Sequence, residues 1–312
     1  YVIAGGASRL ASTIIVTVFG AIFAKVIQKE GISDAIIRKA AELAGDKPVM
    51  IALALTAATA LIFTAMSGAG PVIMVAQIAI PLLLSAGIEP IVAASLVLFG
   101  LNIGLLFNVS QYQIYVDTIG MDMEVIKTSS IVMGLICAVV TVAYILINVN
   151  KKTVRSTWAM NAGTNSKKVN PVAMLMPLLP IVLVFFFKWN AETSLVVAII
   201  VTALITKPSS SIQVLSSSMV EGIKDVAGVI GLMIGIGILL NGVAAQKTSA
   251  LMQPIISVIL PSNPIMYIVI FTVLSPLALY RGPLNMYGLG SGLANIFLTA
   301  GTECTSSWYG TS

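Results

Sequence analysis

Ten apolar runs, at 10–28, 49–66, 71–87, 90–107, 128–148, 171–188, 193–206, 225–243, 264–280 and 284–300, fill most of this 312-residue chain. Crossing the hydrocarbon core of a bilayer takes about 20 helical residues, and inside it each backbone N–H and C=O must find a partner within the protein. Runs of this length and number leave one fold class, an all-α polytopic membrane protein. Only 9% of the residues are charged, against roughly 25% in soluble domains, too few to cover a water-facing surface. The net charge of +5 is carried mostly by the connections between runs, so nucleic acid is not an expected partner. The sequence has no histidine and two cysteines. That composition excludes His-based acid–base chemistry, Ser-His-Asp triads, HExxH zinc sites and a disulfide framework. No cofactor is implied, and the chain is not expected to be an enzyme.

Positive charge orders the runs. Lys151, Lys152, Arg155, Lys167 and Lys168 lie in 150–170 without an acid, and Lys29, Arg38, Lys39 and Lys47 lie in 29–47. Lys and Arg concentrate on the cytoplasmic side, so both segments are expected there, in a multi-pass protein of the cell (inner) membrane. The connections 118–123 and 189–192 contain no Lys or Arg, as expected of the outer face. Segment 29–47 mixes Ile36, Ile37, Ala40, Ala41 and Leu43 with charges, the pattern of an amphipathic interfacial helix.

Two interruptions mark candidate sites, SGAGP at 67–71 and GLNIG at 100–104. Irregular backbone at membrane depth is tolerated only where it is buried in protein or lines a cavity. Ser67, Gly68 and Gly70 precede Pro71, which suits the first turn of a new helix because its missing N–H would have no partner there. Such a helix start aims free N–H groups and the positive end of its dipole at an anion such as a carboxylate. Asn102 within GLNIG, and Asn108, Ser110 and Gln111 within FNVSQYQ, either line a polar cavity or bond neighbouring helices. Arg281 is the only charged residue between Lys247 and Glu303. A cation near mid-bilayer costs about 2.5–3.5 kcal/mol, so Arg281 either faces a cavity and a partner anion or snorkels to an interface. In the first case Gly282 and Asn285 would help its planar fork hold a carboxylate. The acids, such as Asp117, Glu124, Glu192 and Asp225, fall at run ends or in loops, so no proton carrier stands out. A Na+ ion held near Ser67 and Asn102 is the alternative to a proton.

Sliding the chain against itself by 216 residues pairs Gly6 with Gly222, Ala11 with Ala227, Ile14 with Ile230, Ile22 with Ile238 and Pro48 with Pro264. After a four-residue contraction Gly70-Pro71 falls on Gly282-Pro283. With SGAGP read as a re-entrant tip, an odd number of crossings separates the two copies, which inverts the second. Inverted repeats with broken helices are the sequence sign of a secondary transporter. The expected organisation is a first inverted repeat at 1–149, a basic cytoplasmic loop at 150–170, linking spans at 171–206 and a second, incomplete repeat at 207–312. The native protein is expected to extend beyond both ends.

The stretch GGASRLASTIIVTVFGAIFAKVIQKEGISDAIIRKAAELAGDK resembles the scaffold and interfacial helices of the ion transporter superfamily, especially its gluconate-permease, citrate and C4-dicarboxylate carrier branches. The resemblance implies a scaffold helix at 10–28, a re-entrant hairpin at 49–87, a broken helix at 90–117 and a span at 128–148. It further implies an ion-coupled (H+ or Na+) symporter of a small organic carboxylate such as gluconate, citrate or a C4-dicarboxylate. A Na+/H+ antiporter or inorganic-anion carrier of the same superfamily is the alternative. The tip reads Ser67-Gly68-Ala69 where the dicarboxylate/sodium branch has Ser-Asn-Thr, so that branch's substrate and sodium dependence do not simply carry over. The expected partners are the organic anion, the coupling ion and the bilayer, and a homodimer is allowed.

Overall fold

The computed structural model describes residues 2–149, 169–206, 208, 210–243, 264–274 and 276–277, and the regular elements among them are all helices. In order they are α1 (Val2–Arg9), α2 (Ala11–Lys29), α3 (Ile32–Ala44), α4 (Pro48–Phe63), α5 (Ala69–Ser85), α6 (Pro90–Leu106), α7 (Val109–Ile119) and α8 (Met123–Asn148). A 3-10 segment, Pro171–Leu178, leads into α9 (Leu179–Phe185), followed by α10 (Ala191–Thr206), α11 (Ser211–Val243) and α12 (Pro264–Leu274). Pro48 and Pro90 open α4 and α6, where a missing N–H costs nothing. Three helices are long and apolar enough to span a bilayer: α2, α8, and α11 over Ser211–Leu239. The pair α6 and α7 forms a fourth candidate, bent by 55° at its break. The shorter α4, α5 and α10 are apolar helices of 16 or 17 residues. The chain is thus an all-α polytopic membrane protein, and exposed Leu135, Val139 and Leu146 on α8 give that helix the apolar outer face a lipid contact requires.

The chain divides into two compact units, one of residues 1–15, 113–122 and 226–312, the other of 16–112 and 123–225. In the second unit the core gathers Phe23 and Ile27 of α2, Ile37 of α3, Leu55 and Phe63 of α4, Leu83 of α5 and Leu96 of α6. Helix α3 seats Ile32, Ile36 and Ile37 in this core and leaves Leu43 77% exposed, the one-sided burial that an amphipathic helix needs. In the first unit Leu10 packs with Met233 and Ile236.

Two sequence expectations change. GLNIG is no break, because α6 runs unbroken through 100–104 and ends at Leu106. Its glycines serve close packing instead. A β-carbon on Gly100 would lie 2.7 Å from Thr59 Cβ, and one on Gly104 would strike the Ala60 carbonyl and lie 2.6 Å from Phe63 Cβ. Helix α11 begins at Ser211 rather than near 225. Its Asp225 and Glu221 meet Lys25 and Lys29 of α2 at 2.7 Å each, so charges that looked like a loop are paired on a helix face.

Both units contain a close helix crossing. In the first, a β-carbon on Gly6 would collide with the Ile238 backbone. In the second, one on Gly222 would lie 2.8 Å from the Ile22 nitrogen. The residues are those that the 216-residue offset pairs, with partners exchanged.

Candidate functional site

The link between α4 and α5 is short and open. Helix α4 ends at Phe63, the chain turns through 64–68, and α5 starts at Ala69. Gly68 has φ 100° and ψ 168°, backbone that is essentially glycine-only. The first bond into α5 runs from Val72 N to Gly68 O at 3.4 Å, so the N–H groups of Ala69 and Gly70 have no acceptor within the helix. Pro71 sits in this first turn as its missing N–H demands. Ser67, Gly68 and Gly70 are exposed, and nothing lies within 4 Å of where a β-carbon on either glycine would stand. Unfilled space beside a helix start whose first donors lack a helical acceptor is favourable for an anion.

The bend between α6 and α7 is the opposite case. Asn108 is 1% exposed and answers for both neighbouring helix ends. Its Nδ2 donates to Phe63 O and Met66 O, both at 3.1 Å, and its Oδ1 accepts from Ser110 N at 2.9 Å. One side chain thereby caps the last carbonyl of α4, a carbonyl of the turn that follows it and the first turn of α7. Tyr112 closes the remaining gap by donating its hydroxyl hydrogen to Leu106 O at 2.9 Å. Ser110 is buried against Gly20 of α2, where a β-carbon would strike its hydroxyl.

The site residues expected from sequence therefore fall into three groups. Asn108 bonds the end of α4 and the turn that carries Ser67 and Gly68, and Ser110 bonds Asn108. Asn102 is not. It lies two residues from both Gly100 and Gly104 on α6, hence on the opposite face, where its amide donates to Cys137 Sγ of α8 at 3.6 Å. Arg281, Gly282 and Asn285 lie outside the described residues.

Sequence reasoning missed Asp117. It sits on α7, where Oδ2 accepts from Thr13 N at 2.9 Å and from Thr13 Oγ1 at 2.6 Å, and Oδ1 accepts from Gln113 Nε2 at 2.8 Å. The carboxylate thus holds the first turn of α2, where an anion is favoured. Its only trace in the sequence is the i, i+4 spacing from Gln113. Among the described residues no three His, Cys, Asp or Glu side chains gather as metal ligands, so a sodium ion there would take hydroxyl, amide and backbone oxygens.

The model of the DcuC family, the C4-dicarboxylate anaerobic carriers, matches residues 7–299. The chain belongs to that family. No curated relative and no solved structure matches. Membership makes this membrane protein a dicarboxylate carrier rather than an enzyme, with a small organic anion as its cargo. Of the three carrier branches that the sequence resembles, it is the C4-dicarboxylate one that the family match supports.

Proposed function

We propose that this carrier is an ion-coupled symporter that moves a C4-dicarboxylate across the cell (inner) membrane by alternating access between two inverted repeats. The open start of α5 at Ser67–Gly70 carries the reading, because it offers backbone donors without a helical acceptor and empty space around Gly68 and Gly70 in a chain of the dicarboxylate-carrier family. A carboxylate of the substrate sits there, and Asn108 with Ser110 keeps the tip in place from below. In the second repeat, Arg281 with Gly282 and the Asn285 amide contacts a carboxylate through its planar fork.

The repeats are 1–149 and 207–312, joined through 150–170 and 171–206, with membership of the ion transporter superfamily as the wider frame. The exchanged crossings support this division. Gly6 meets Ile238 and Gly222 meets Ile22, residues that the 216-residue offset pairs with partners exchanged. The coupling ion is H+ or Na+.

Purified protein in proteoliposomes tests the reading by uptake of radiolabelled succinate, fumarate, citrate and gluconate, with a proton gradient or a sodium gradient imposed. Succinate or fumarate should accumulate under one gradient, with citrate and gluconate carried far less. Uptake of the C4 acids that follows neither gradient would overturn the coupling, and absence of C4 uptake would overturn the function.

A further inference from the structure

The 216-residue offset also pairs Arg9 with Asp225 and Lys25 with Asn241. In each case the two residues of a touching couple come from opposite copies, yet the couples differ in charge. Lys25 and Asp225 close a salt bridge at 2.7 Å, while Arg9 Nη1 donates to the neutral Oδ1 of Asn241 at 3.2 Å. Asn241 is itself confined, since its amide nitrogen stands 2.9 Å from where a β-carbon on Gly5 would lie. Arg9 is half-buried and makes no ion pair among the described residues. The chain has 12 acids, and all but Glu303 are among those residues. Where the Lys25–Asp225 couple closes a salt bridge, the Arg9–Asn241 couple keeps a guanidinium with most of its five planar donors unspent among the described residues.

We propose that Arg9, oriented by Asn241, contacts a carboxylate of the transported acid. The inference rests on the proposed function and adds a binding residue to it. Arg9 has no counter-charge among the described residues, and a dicarboxylate supplies that charge on arrival and removes it on departure. The fork geometry of the guanidinium matches two carboxylate oxygens, while Asn241 fixes the plane through one nitrogen.

Asn241→Asp separates this role from a structural one, because it rebuilds beside Arg9 the charge pair that Lys25 and Asp225 already form. The variant should resist unfolding in detergent at least as well as the wild type, yet bind succinate about 30-fold more weakly in proteoliposome uptake, as loss of a desolvated charged contact implies. Arg9→Gln should lose affinity to a similar degree, and Arg9→Lys should recover part of it. Wild-type affinity in Asn241→Asp, or in folded Arg9→Gln, would overturn the inference alone. Wild-type protein that carries no C4 acid would overturn the proposed function, and this inference with it.

Discussion

The two interruptions of the second unit, Ser67–Gly70 and Phe107–Asn108, solve the same problem in opposite ways. Each frees backbone groups between two apolar helices. At Phe107–Asn108 the freed groups are satisfied, Ser110 N by the Asn108 Oδ1 and Leu106 O by the Tyr112 hydroxyl, while the Asn108 amide nitrogen also serves Phe63 O and Met66 O before the other break. At Ser67–Gly70 it leaves the donors of Ala69 and Gly70 without a helical acceptor and the space around Gly68 and Gly70 unfilled. A closed break holds the fold, whereas an open one is a place for something else to bind.

Substitution should expose that difference. The largest effect is expected at Asn108→Leu, which strands the carbonyls of Phe63 and Met66 and the N–H of Ser110. At about 1–3 kcal/mol for each buried unpaired group, the loss should reach roughly 3 kcal/mol or more, measured by chemical unfolding in detergent. Unfolding at wild-type denaturant concentrations would mean that the bend is not the closed kind.

Arg281→Gln should weaken apparent affinity for succinate by about 30-fold, the consequence of losing a charged hydrogen bond of about 2–5 kcal/mol, with unfolding unchanged. Equal affinity in a folded variant would make Arg281 a snorkelling anchor and leave Ser67–Gly70 as the proposed anion site.

Gly68→Ala puts a side chain into backbone at φ 100°, and should cost about 1–3 kcal/mol of strain even though the surrounding space is empty. The smallest stability change belongs to Gly70→Ala, within about 0.5 kcal/mol, because nothing surrounds the added methyl. Its transport should nonetheless fall, since the methyl occupies the proposed seat. A Gly70→Ala protein with wild-type stability and wild-type affinity would leave the open break without a role.

The fold class was readable because bilayer thickness and backbone pairing impose a run length that no soluble fold shares. The helices α2, α4, α5 and α8 start and end close to where the runs do. What sequence could not separate was glycine that bends a helix from glycine that lets helices touch. Gly100 and Gly104 flank an asparagine just as a break would, yet they lie one turn apart on a single face and pack on α4. The true bend, at Phe107–Asn108, has no glycine or proline, because a buried asparagine supplies the capping that makes it possible. Charge misled in the same manner. Glu221 and Asp225 suggested a loop, and Asp117 a run end, until Lys29, Lys25 and Thr13 were found opposite them. Pairings across 100 or more positions leave no local mark.

The account turns on the open break being where substrate binds. Ser67→Cys, in a protein whose Cys137 and Cys304 are replaced by alanine, places a thiol at the exposed tip. Its rate of modification by a membrane-impermeant thiol reagent is measured in proteoliposomes with and without succinate. The account predicts ready labelling that saturating succinate slows several-fold while gluconate leaves it unchanged. Labelling at the same rate with and without succinate, in protein that still transports it, would contradict the account.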